Sequence, residues 1–140
     1  MAEIGDASAN HPLITRPKNA KQHVTAGPYS PVLTVDASRL VVISGQVAVD
    51  INGNVLGDTI EEQTLATLQN CATQLASAAC SIGDVFKVNI YLADLADWTR
   101  FNIVYEQIMR EPLPVRTAVQ AVLLPGFLVE IEMWAVKSKD

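Results

Sequence analysis

The 140-residue chain has little that would serve a metal, a membrane or a nucleic acid. It holds two cysteines and two histidines, none at ligand spacing, so no dedicated metal site is expected. Charged residues make up only 18%, and ten Lys and Arg against fifteen Asp and Glu leave a net charge of −5, which offers phosphate backbones no basic surface. Nucleic acid is therefore not an expected direct partner. No apolar run approaches the roughly 20 residues of a membrane span. The opening Met-Ala-Glu-Ile-Gly-Asp is neither basic nor apolar, so a cytoplasmic protein without a membrane partner is expected. What the chain does have is 49% hydrophobic residues, more than one small domain readily hides. A single domain that associates with its own copies is the natural outlet.

Residues 1–22 are polar and without period, with Pro12 and Pro17, and read as a flexible or loosely docked arm; His11 and His23, in or beside it, read as solvated. Strand candidates follow at 32–35 and 40–49, the second interrupted by Ser44-Gly45-Gln46, where a glycine marks a bulge or a close backbone approach. Thr59-Ile-Glu-Glu62 has the form of a capping box, and Leu65, Leu68, Ala72, Leu75, Ala79 and Ile82 continue at helical spacing towards a stop at Gly83. Cys71 and Cys80 would point to opposite sides of that helix and could not pair there. Clean alternation through Phe86, Val88, Ile90 and Leu92 predicts a half-buried strand. Asp94 or Asp97 can cap a second helix carrying the apolar stripe Trp98, Phe101, Tyr105 and Ile108, with Asn102 off that line. Two last strands, 115–123 and 128–136, complete an α+β order with both helices on one face of a mixed sheet.

One residue does not fit a plain core. Arg116 lies in an apolar, β-branched run between two prolines, and a guanidinium that cannot lose its charge needs an anion. Glu130 and Glu132 share one face of the last strand, so the bland expectation is a cross-strand ion pair if the last two strands are antiparallel neighbours. In that arrangement Arg116 and Gln120 would join Asn89 and Tyr91 on the face away from the helices. Such a face is too apolar for water and too polar for a core, and it suits subunit packing with ligand sites at the seams.

Several segments, in order from about residue 23 to 137, together resemble the YjgF/RidA-like imine and enamine deaminases. They are Gly27-Pro28-Tyr29, Val42-Ile43-Ser44-Gly45-Gln46, Gln69-Asn70, Gly83-Asp84-Val85-Phe86-Lys87-Val88, Asn102 to Glu106, Pro114-Val-Arg116-Thr-Ala-Val-Gln-Ala, Leu124-Pro125 and Val129-Glu130-Ile131-Glu132. The resemblance implies a domain over 23–140 of chorismate-mutase-like shape, a homotrimer with clefts between subunits, and no cofactor. It implies that Arg116 holds the carboxylate of a 2-imino or 2-enamino acid and that Glu130 positions or activates water. Ser44, Gly45 and Asn102 would line the cleft, Tyr29 would close over it, and the backbone of Ala118 would contact the imine nitrogen. The position of Ala118 is often cysteine in such proteins, and the turn Pro125 to Glu130 is shorter and more apolar than usual. Two other readings fit the same scaffold: a 2-aminomuconate-type deaminase, and a non-catalytic carboxylate-binding or chaperone-like module. A dicarboxylic substrate would call for a second cation, which the motif strands do not supply.

Overall fold

The computed structural model describes residues 10–24 and 27–137. Among these residues six strands and two α-helices occur in the order β1 (Ile14–Thr15), β2 (Thr34–Val35), β3 (Arg39–Gln46), α1 (Ile60–Ser77), β4 (Val85–Leu92), α2 (Trp98–Ile108), β5 (Val115–Gln120) and β6 (Val129–Lys137). Strands β3 to β6 form one sheet in the spatial order β3-β6-β4-β5, with β4 and β5 parallel and the other pairs antiparallel. Both helices pack on the same face of this mixed sheet, as expected for the α+β class.

The alternation of β4 decides which face that is. Val88, Ile90 and Leu92 are fully buried against Leu68, Cys71, Leu75, Phe101 and Tyr105, while Lys87, Asn89 and Tyr91 look the other way. Each such aliphatic side chain removed from water contributes about 1.5–3 kcal/mol. Helix α1 starts where its capping box predicts: Glu62 N–H donates to Thr59 Oγ1 at 3.2 Å and Thr59 N–H to Glu62 Oε1 at 3.3 Å. It ends at Ser77 rather than near Gly83. Ala79 takes the left-handed turn (φ 59°) and Cys80 N–H donates back to Leu75 O at 2.9 Å, so the stop is made without glycine. Cys80 is therefore outside the helix, and both cysteines are free. Leu65, read as part of the buried stripe, is 40% exposed; its place is taken by Thr64 and Thr67 facing inward.

The arm is not loose where it is described. Ile14 is 3% exposed, β1 pairs with β2, and Asp36 N–H donates to Leu13 O at 2.8 Å. His11 is likewise not solvated: its Nε2 lies 2.8 Å from Asp84 Oδ1, and its Nδ1 accepts Leu13 N–H at 3.1 Å. Residues 1–9 lie outside the described part.

Candidate functional site

Arg116 lies on β5, the edge strand, opposite Val88 of β4. That register turns its side chain towards the helices, not towards the open face where the sequence reading put it. The same holds for Gln120, whose Oε1 accepts Leu95 N–H at 2.9 Å just ahead of α2. Trp98, Asn102 and Tyr105 of α2, at i, i+4 and i+7, form one line over Arg116. The guanidinium carbon is 4.9 Å from the Trp98 ring centre and 4.8 Å from that of Tyr105. Asn102, expected off the apolar line, is 6% exposed and belongs to this cluster. A β-carbon added at Gly27 would overlap Arg116 Nη2 and come within 3.2 Å of Asn102 Nδ2, so the backbone of Gly27 closes the third side. Tyr29 follows on the same side, its segment tied to the start of β5 by Ser30 N–H donating to Pro114 O at 3.2 Å.

Among the described residues, neither Nη1 nor Nη2 of Arg116 has a hydrogen-bond partner, although both atoms are buried. Burial pushes its pKa down, while the Tyr105 and Tyr29 hydroxyls act the other way. A guanidinium starts so high that it remains charged regardless. Burial pushes the Tyr105 hydroxyl well above its ordinary range, so it stays neutral beside the cation. Cys71, nearby in the core, is pushed up to about 12 by burial and is no nucleophile.

Glu130 belongs to a second cluster. It pairs across β6–β4 with Tyr91, and Glu132 with Asn89, so both carboxylates stand on the face away from the helices. Glu132 Oε1 accepts Asn89 Nδ2–H at 3.0 Å and Tyr91 O–H at 2.8 Å. That hydrogen bond is the main cause holding the Tyr91 hydroxyl above its ordinary pKa, with burial and the charges of Glu132 and Glu130 adding to it. The bulge expected at Ser44-Gly45 is present as a register shift between Ile43 and Gln46. It also serves a close approach: a β-carbon at Gly45 would overlap Glu130 Oε2. Ser44 is exposed beside it, its carbonyl accepting Gln46 Nε2–H at 3.2 Å. Buried Gln63 fixes the entry to β6, donating to Gly57 O at 3.1 Å and Gly126 O at 2.9 Å and accepting Leu128 N–H at 2.8 Å.

The two clusters do not meet in one chain. β4 lies between β5 and β6, a lateral separation of roughly 10 Å, and the side chains leave opposite faces. The cross-strand Arg116–Glu130 ion pair is thus ruled out by topology. The last two strands are sequence neighbours only, because β6 inserts between β3 and β4. Ala118 lies on the Arg116 side. Ala121 N–H donates to Leu92 O at 2.9 Å, so odd-numbered β5 residues bond to β4 and the backbone groups of Arg116, Ala118 and Gln120 point out from the sheet edge. Open depressions lie elsewhere. One of about 460 Å³ adjoins His11, Arg16 and Glu111, and another of about 460 Å³ follows Gln120 to Phe127; neither contains Arg116 or Glu130. Among the described residues no group of three or more His, Cys, Asp or Glu could hold a metal.

Trp98, Tyr105 and Gln63 were missed as site-building residues. For the first two the signal was present, since i, i+4 and i+7 share a helix face, but an aromatic stripe reads first as core.

Residues 20–137 match the family model described as Endoribonuclease L-PSP. The mitochondrial protein mmf2 of Schizosaccharomyces pombe is 38% identical over 125 residues, covering 86% of this chain and 97% of that protein. The 2-iminobutanoate/2-iminopropanoate deaminase of Bos taurus is 37% identical over 120 residues, 84% of this chain and 86% of that enzyme. Among solved structures, a YjgF family member from Neisseria meningitidis superposes with TM-score 0.66 at 30% identity, covering 80% of this chain and 89% of the other. E. coli TdcF with bound serine gives TM-score 0.66 at 31% identity, covering 84% and 99%. With a family match over most of its length, relatives above 30% identity and the same arrangement of helices on sheet, the chain belongs to the YjgF/RidA family.

Proposed function

We propose that the protein hydrolyses 2-imino and 2-enamino acids to 2-keto acids and ammonia, at sites completed between copies of the chain in a homotrimer. The observation that carries this reading is the buried Arg116 guanidinium with two unpartnered terminal nitrogens, a fork shaped for a carboxylate. Relatives named as 2-iminobutanoate/2-iminopropanoate deaminases support the substrate class. The net charge of −5 favours a small carboxylate over an RNA backbone.

Arg116 and Glu130 stand on opposite faces, so a site using both takes Glu130 from a second copy. The open face supports that packing: Leu40, Val42 and Val119 are 54%, 59% and 43% exposed there, too apolar to be left to solvent. In the assembled site Arg116 holds the substrate carboxylate and the outward backbone of Ala118 meets the imine nitrogen. Asn102 and Tyr29 bound the slot. Glu130, held against Gly45 and beside Ser44, takes a proton from water as the water oxygen bonds to the imine carbon, and returns that proton to the nitrogen. The carbinolamine then loses ammonia as the C–N bond breaks and the keto group forms. Because imines already hydrolyse in water, positioning and one acid/base group suffice.

The test is keto-acid release from 2-iminopropanoate and 2-iminobutanoate generated in place by an amino acid oxidase. Acceleration by the wild type that disappears in Arg116→Ala is expected. No acceleration from a folded oligomer would refute the reading.

A further inference from the structure

We propose that Trp98 and Tyr105 are positioning residues, which clamp the Arg116 guanidinium between their rings so that both terminal nitrogens face the substrate carboxylate; this rests on the carboxylate-binding role of Arg116. Seven residues apart on α2, their Cα atoms lie about 10.5 Å apart along one helix face. The guanidinium carbon lies over both rings, 4.9 Å from the Trp98 ring centre and 4.8 Å from that of Tyr105, so the two rings contact the same cation. Stacking on aromatic faces stabilises the cation without using any N–H. That explains how an arginine remains buried with Nη1 and Nη2 unpartnered: its charge is balanced through its faces and its donors are kept for a ligand.

The surroundings hold the rings themselves. Tyr105 is fully buried and lies 5.5 Å from the Phe101 ring, and Trp98 is packed against the core cluster. Arg100, between them on α2, makes a two-pronged surface pair with Glu61 of α1 through Nε at 2.8 Å and Nη2 at 2.7 Å. Across the slot, Gly27 leaves no room for the guanidinium to swing out.

The chemistry predicts where the effect appears. The substrate carboxylate keeps its charge throughout hydrolysis, so Arg116 grips ground state and transition state alike, and a loosened grip raises KM while sparing kcat. In Trp98→Met, which keeps an apolar side chain but no ring, KM for 2-iminobutanoate should rise about tenfold with kcat within about threefold. The dissociation constant for 2-oxobutanoate, measured by calorimetry on the full chain, should rise in parallel. Trp98→Phe should recover both to within about threefold of wild type. In the wild type, the Arg116 Nε–H resonance should carry an upfield ring-current displacement that Trp98→Met reduces, a readout independent of substrate. A wild-type Kd and KM in Trp98→Met, or no change in that resonance, overturns the clamp while leaving the deaminase reading intact. A wild type that neither binds 2-oxobutanoate nor hydrolyses imines overturns the deaminase reading, and the clamp's role in binding with it.

Discussion

Arg116 and Glu130 stand on the two faces of the sheet under opposite conditions. On the helix face the Arg116 guanidinium is buried, in contact with two aromatic rings and, among the described residues, without a hydrogen-bond partner for its terminal nitrogens. On the open face two carboxylates stand side by side: Glu132 is held by Asn89 and Tyr91, and Glu130 is pressed against the bare backbone of Gly45. The cationic half is preorganised within one chain at a cost in desolvation, whereas the anionic half lies on a face that leaves Leu40 and Val42 more than half exposed. Keeping Arg116 and Glu130 on separate faces avoids their collapse into an ion pair, which a neighbouring-strand arrangement would have invited.

The largest effect should come from emptying the cationic half. Arg116→Met should lower kcat/KM about 10²–10³-fold, as expected for removal of a buried charge that pairs with substrate. It should also raise folding stability by about 1 kcal/mol, because two buried unpartnered donors disappear; denaturant midpoints measured beside the kinetics check both signs. Next, Glu130→Gln should lower kcat about 10²-fold with little change in KM, the mark of a group used in proton transfer rather than in grip. The glycines sharpen the contrast further. Gly45→Ala must displace the Glu130 carboxylate and should reduce kcat about tenfold, whereas Gly27→Ala must displace the Arg116 guanidinium and should raise KM instead. At Gly45 the displaced atoms end a flexible side chain, so the thermal midpoint should move by no more than a few degrees, whereas at Gly27 a held guanidinium and buried Asn102 must yield and the midpoint should fall further.

The smallest effect concerns the Tyr91–Glu132 bond. Tyr91→Phe should cost at most about 1 kcal/mol at neutral pH, since the site is partly open to water. The Tyr91 pKa is raised in the fold, so this contribution is complete below the unfolded value of 10.0 and fades as pH rises through the folded one. Wild type and variant should therefore converge in stability in strongly alkaline solution; a gap that widens there would contradict the assignment.

Much of this was legible in the sequence, for reasons that particular residues make plain. The alternation of β4 and the capping box of α1 are local signals, and both elements formed where those signals lie. The oddity of Arg116 was equally local: a permanent charge among β-branched residues. What could not be read was which strand lies beside which. Insertion of β6 between β3 and β4 is a long-range choice, and it moved Arg116 and Gln120 to the helix face and separated Arg116 from Glu130. The end of α1 was misread because Ala79 adopts a conformation that glycine usually supplies. His11 found Asp84, 73 residues away, and no spacing rule announces such a contact. The stripe at 98, 101 and 105 was legible as core, but Asn102 was placed off that line, because the cation that draws it into the cluster comes from another strand.

The central claim is that the active site takes Arg116 from one copy and Glu130 from another. Arg116→Ala and Glu130→Gln chains, each nearly inactive alone, should be unfolded together, reassembled in equal amounts and assayed for imine hydrolysis. Random mixing places an intact Arg116 opposite an intact Glu130 in about one site in four, so activity should recover to about a quarter of wild type. Mixed oligomers confirmed by mass that stay as inactive as their parents would contradict a shared site.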